Sequence, residues 1–188
     1  MRFLFVLALW AVLGLNAQAI AQTRVAGLLP PQVDPADLWQ TPLANLAKQM
    51  NQTIEQRGSN EYYFSIAQDD LFEWPVVHSF LAPATSATIS DVWVGFEPDL
   101  DNNQRSTLDR YNALKDSLTA VLGKPDQDQE QWLINKLASP RSEWANAIAY
   151  GDLILSAGWY RQELNITLIA EGHSGYSQVF IRLRPPTK

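Results

Sequence analysis

Nucleophilic catalysis needs a Ser, Thr or Cys beside a base that can take its proton. This chain has no Cys and only two His. His78 stands in the apolar, strand-like run Val76, Val77, His78, Ser79, Phe80, and reads as a sheet histidine held by one hydrogen-bond partner; a general base is the weaker reading. His173 lies in Gly172-His173-Ser174-Gly175, where glycines and short polar residues bend the chain for conformational reasons, so it too is expected to be structural. No G-x-S-x-G elbow or S-x-x-K acylation motif accompanies either histidine.

Metal chemistry has as little to stand on. No H-x-x-x-H or H-E-x-x-H pair occurs. Asp99, Asp101 and Asn103 match the first three ligand positions of a calcium loop. The sixth place, which needs Gly, is Gln104, and the twelfth, which needs a bidentate Glu, is Arg110. The segment is therefore expected to be a polar loop capping a helix, and no metal or other cofactor is expected. Paired carboxylates could do acid–base work on a glycan. Asp69, Asp70 and Glu73 cluster with Phe72 and Trp74, a set able to stack on a sugar ring, although adjacent acids are most often a solvated turn. No Gly-rich phosphate loop is present.

Composition narrows the partners. The 188 residues carry 14 Lys+Arg against 20 Asp+Glu, a formal charge of -6, with 46% hydrophobic residues. An acidic chain lacks the basic footprint that nucleic acid or an anionic membrane surface selects, so no nucleic-acid partner is expected. The apolar fraction is that of a folded domain.

The first 21 residues read as a secretory signal. Arg2 gives a positive start, residues 3–15 are an uncharged apolar run, and Ala17, Ala19 and Ala21 follow. This is the n-region, h-region and A-x-A pattern, with cleavage after Ala19-Ile20-Ala21 preferred over Ala17-Gln18-Ala19. The run is shorter than the roughly 20 residues a spanning helix needs. The mature chain, without another long apolar run, is expected to be soluble, periplasmic or secreted, and without a membrane span. Lacking Cys in an oxidising compartment, it must rely on its core alone.

The elements that position these residues follow from periodicity. Residues 22–33, with Pro30-Pro31, read as an extended leader, and residues 34–188 as one domain. Asp34 and Pro35 are an N-cap and first-turn signal, repeated at Thr41-Pro42. Leu43, Leu46, Ala47, Met50 and Ile54 then recur at helical spacing, predicting a helix over 42–57 that ends at Gly58. Strands are expected at 61–67, 73–81 and 88–97, the last with Val92, Val94 and Phe96 on one face and Trp93 on the other. Leu108, Tyr111, Leu114, Leu118, Val121 and Leu122 predict a second helix stopped by Gly123 and Pro125. The polar stretch after it reads as a linker, followed by a weak strand at 132–137 and a short helix within 139–149. Strands at 152–160, 164–170 and 177–183 align Leu153, Leu155, Ala157 and Trp159; Leu164, Ile166 and Leu168; and Val179, Ile181 and Leu183.

The order predicts an α+β fold with antiparallel sheet packed against two amphipathic helices, an order that allows two α-β-β-β halves. With a clear export signal, a substantial core and no catalytic set, the expectation is a non-enzymatic envelope protein that binds a protein partner or a small ligand through its sheet face and loops. The binding candidates are Phe72, Trp74, Phe180, Arg182 and Arg184: aromatic and Arg side chains are the usual interface anchors. The alternative is a periplasmic carboxylate-dependent hydrolase acting on a glycan, built on the Asp69 to Glu73 region or His78.

Overall fold

Why the sheet forms where it does is clearest at the C-terminal end. Leu153, Leu155, Ala157 and Trp159 alternate with Ile154, Ser156 and Gly158, so an extended chain puts the first set on one face. Residues 27–71, 74–96, 104–133 and 140–186 are described by a computed structural model. The expected signal segment, the Asp99–Asn103 loop, Phe72 and Glu73 lie outside the described residues. The strands are β1 (Glu55–Arg57), β2 (Glu61–Leu71), β3 (Trp74–Ala82), β4 (Asp91–Phe96), β5 (Gln127–Trp132), β6 (Leu153–Tyr160), β7 (Asn165–His173) and β8 (Tyr176–Arg184). They form one eight-stranded sheet in the order β1-β2-β3-β4-β8-β7-β6-β5, with antiparallel pairing throughout. Two meanders thus lie side by side, joined where β4 pairs with β8.

Register carries the alternation across the sheet. Phe64, Phe80, Val92, Leu183, Ile166 and Trp159 stand in one row of cross-strand partners, and each is at most 1% exposed. All fall on the face that the helices cover. The α+β class is therefore met, with four helices among the described residues rather than two: α1 (Pro35–Leu38), α2 (Leu43–Gln49), α3 (Gln104–Leu122) and α4 (Trp144–Ala149). Only α3 is long. It packs on β7, β8 and α4, while α4 packs on β6 and β7, and α2 lies over β3.

The predicted helix over 42–57 is two elements. Asn51 adopts φ 53°, and the amides of Asn51 and Gln52 donate to Lys48 O and Ala47 O. That is the double hydrogen bond of a Schellman stop, which Asn, tolerant of left-handed backbone, can make in place of Gly. Gly58, expected as the stop, instead turns the chain from β1 into β2. At the other end Asp34 caps α1, its Oδ1 accepting from the Ala36 amide at 2.9 Å.

The stretch expected to be a linker is β5. Its six residues pair fully with β6, and its polarity follows from its position at the sheet edge, where charged residues discourage pairing with another chain. Trp132, expected to open a strand, closes this one. The leader is not free either: Leu28, Leu29 and Val33 are buried in the core. Helix α3 is stopped by Gly123 as expected, at φ 84°, and its last carbonyls are met from β6 and the residue after it. Trp159 Nε1 donates to Gly123 O at 2.8 Å and Arg161 to Leu122 O at 2.7 Å.

Candidate functional site

The face of the sheet opposite the helices carries the alternate residues of every strand. Along its middle row run Ser65, Ser79, Trp93, Arg182 and Thr167, each the cross-strand partner of the next. Ser65 and Ser79 share a hydrogen bond of 2.8 Å. Beside that row Phe180 stands opposite Gly95, and the missing side chain leaves its ring room to lean diagonally onto Trp93. The two rings stack with centroids 5.2 Å apart and planes 9° from parallel. Phe180 is only 6% exposed, so it supports Trp93 from below.

Guanidinium groups close over the indole. The Arg182 guanidinium carbon lies 5.5 Å from the Trp93 ring centre and that of Arg57 5.9 Å, within the range of cation–π attraction. Arg57 is on β1, three strands from Trp93. Strands spaced 4.7–4.9 Å apart put the two backbones at least about 14 Å apart, and the contact is made by the long Arg57 side chain reaching across this face toward the indole.

One carboxylate organises the other end. Asp91 Oδ1 accepts from Arg182 Nε at 2.6 Å and from Arg184 Nε at 2.9 Å. Each guanidinium commits one of its five donors to Asp91 and keeps the planar fork that suits carboxylate recognition. The Asp91 side chain is 18% exposed, that of Arg182 28% and that of Arg184 52%. Pairs this open contribute at most about 1 kcal/mol to stability; what they do is hold two Arg side chains in place. Trp93 Nε1 is buried and has no hydrogen-bond partner among the described residues.

Three of the five expected binding residues, Phe180, Arg182 and Arg184, are thus brought together. Trp74 is elsewhere: it lies on the helix-covered face, edge-on to Phe96 at 6.2 Å, half-buried against the core. Phe72 and Glu73 lie outside the described residues, as do the side chains of Asp69 and Asp70. Trp93, Asp91 and Arg57 were not singled out from the sequence. The alternation that turns Trp93 away from Val92 and Val94 was readable, but its neighbours depend on β4 pairing with a strand some 90 residues further along.

The histidines are placed as the sequence suggests. His78 is 1% exposed on the covered face, and its Nε2 donates to Leu28 O at 3.2 Å. Nδ1 is then left buried without a partner. Burial holds its pKa below the ordinary value, opposed by the Leu28 hydrogen bond. His173 is exposed at the end of β7, paired with Tyr176, next to the turn in which Ser174 and Gly175 have φ 53° and 90°. Among the described residues no group of three or more His, Cys, Asp or Glu converges on a metal site, and no helix is long and apolar enough to cross a membrane.

Comparison with known proteins gives no matching family model, no matching curated protein and no matching solved structure.

Proposed function

We propose that this is an exported, non-enzymatic binding protein of the cell envelope, and that its open sheet face engages an acidic segment of a protein partner. The observation that carries the reading is the island of Arg57, Arg182 and Arg184 around Trp93, with Asp91 pairing the last two and Glu61 3.9 Å from Arg57, in a chain whose formal charge is -6. Cations concentrated against an overall acidic background are complementary to carboxylates, and such complementarity sets partner choice and encounter rate. Trp93, backed by Phe180, supplies the rigid aromatic surface that interface anchors share. Export rests on the Arg2 start, the apolar run over 3–15 and the Ala19-Ile20-Ala21 site. Two α-β-β-β halves meeting at β4 and β8 belong to the same reading, with the Arg island on their seam. The carboxylate-dependent hydrolase gains no observation: the side chains of Asp69, Asp70 and Glu73 lie outside the described residues, and His78 is 1% exposed.

The test is cross-linked capture of tagged chain from its native envelope, with wild type, Arg182→Glu/Arg184→Glu and Trp74→Ala side by side. Expected is a stoichiometric partner with an acidic surface segment, lost in the double charge reversal, retained in Trp74→Ala, and weakened as added salt shortens the screening length from about 8 Å to about 3 Å. Capture that is equal in the reversal and in wild type sinks the assignment of this face.

A further inference from the structure

The inner-face rows of the sheet change character at β5. One row runs Ile181, Leu168, Ala157 and then Asp128; the next runs Val179, Ala170, Leu155 and then Glu130. Over these two acids α3 and α4 leave a cavity of about 380 Å³, at the small end of the range for small-molecule sites. Inward-pointing charges on an edge strand also guard against pairing with another chain, but that purpose does not require what lies above them. Tyr111, 3% exposed, lines the cavity together with Asn112 and Lys115 of the same helix.

The walls are balanced. Lys115 Nζ binds both Asp128 carboxylate oxygens at 2.6 and 2.7 Å, and the Arg141 guanidinium lies 5.4 Å from the Trp144 ring centre. With Glu130 the cavity presents two cations and two anions, so it offers no net field to a charged ligand. It offers donors (Lys115, Arg141), acceptors (Asp128, Glu130) and groups that do both (Tyr111, Asn112), next to an aromatic wall. Burial first, then the charges of Asp128 and Glu130, hold the Tyr111 phenol well above its ordinary pKa, so it stays a neutral hydroxyl able to donate and to accept.

We propose that the cavity between α3, α4 and β5 binds a neutral, hydroxyl-rich ligand of sugar-ring size, with Tyr111 and Asn112 reading its hydroxyls and Trp144 meeting its C–H face. A hydroxyl-rich ring is the ligand class that satisfies donors and acceptors together without bringing charge. The site lies on the helix-covered side of the sheet and is independent of the Arg island.

The test titrates the folded protein with glucose, N-acetylglucosamine and maltose, followed by NMR shifts and tryptophan fluorescence, beside citrate and free lysine as charged probes. Expected is a saturable response to at least one sugar, weakened about three- to tenfold in Tyr111→Phe and in Asn112→Ala, the worth of one hydrogen bond. Arg182→Glu should leave it unchanged, so that failure here and failure of the open-face reading are separate results. Tyr111→Phe keeps the buried ring and removes only the hydroxyl, so the variant should fold, which near-UV circular dichroism checks. No saturable response to any sugar, a response to the charged probes alone, or equal sugar binding by wild type and both variants overturns the proposal.

Discussion

Adding one methyl group at Gly172 should cost more than its size suggests. Gly172 is on β7, facing the helices, and the C-terminal end of α4 rests directly on it. A Cβ there would intrude on the carbonyl oxygens of Ile148 and Tyr176 and come within 2.9 Å of the Ala149 Cα. All three are backbone atoms, so no side chain can swing aside. Carbon atoms settle about 3.5–4.0 Å apart, and α4 must therefore lift by roughly 1 Å or β7 must bow. Either movement disturbs Ile148 and Ala149, both 0% exposed, and the bond from the Gly175 amide to Ala149 O. Overpacking of this kind costs typically 1–3 kcal/mol, and part of an isoleucine's burial, worth about 1.5–3 kcal/mol in full, is lost with it. Gly172→Ala is expected to lose about 2–4 kcal/mol, seen as a lower urea midpoint at unchanged slope and a Tm lower by roughly 5–15 °C. Gly175→Ala is the control: a Cβ there meets nothing within 4 Å, leaving only the left-handed backbone cost of about 1–2 kcal/mol. If Gly172→Ala unfolds within about 0.5 kcal/mol of wild type, α4 does not rest on this strand and the reasoning fails.

Two further outcomes test the core. His78 is held neutral by burial, its pKa lowered in the folded state; below its unfolded value of about 6.5 the unfolded chain takes a proton that the folded chain refuses. Stability should fall as pH drops from 6.5 toward the folded pKa, by up to about 1.4 kcal/mol per pH unit, and urea titrations at pH 7, 6 and 5 should show that slope flattened in His78→Leu; identical slopes would place the acid sensitivity elsewhere. Trp159→Phe should destabilise by about 2–3 kcal/mol, because it opens space at a 0% exposed position and frees the Gly123 carbonyl at the end of α3. Thermal melts decide it, and a Tm within a degree of wild type would mean that the indole is not the partner closing that helix.

Much of the fold was legible because period and burial coincide. Strands β6, β7 and β8 each set an alternating apolar row on the buried face, with Phe180 an extra buried residue on the other, so their residues announce both the element and the side that packs. The stop of α3 at Gly123 was equally plain. Helix α2 was overextended because Met50 and Ile54 continue the helical spacing by chance while Asn51, a weaker stop signal than Gly, ends it. Strand β5 was missed because an edge strand with acids on one face and glutamines on the other has no apolar run and no apolar–polar alternation to read. The export segment lies outside the described residues, and its support is the sequence pattern alone.

The sequence by itself determined which residues turn inward on the strands it made legible, β6, β7 and β8 above all, and the α+β order of elements. Those are local properties, set by backbone period, turn chemistry and residue type. Tertiary structure alone decided which outward residues meet. Arg182 faces Trp93, Asp91 joins Arg182 to Arg184, and Tyr111 looks across a cavity at Asp128 and Glu130 only because β4 pairs with β8 and β5 folds back on β6. Strand order is a global choice made by closing long loops and burying one continuous apolar face, and no stretch of ten residues carries it.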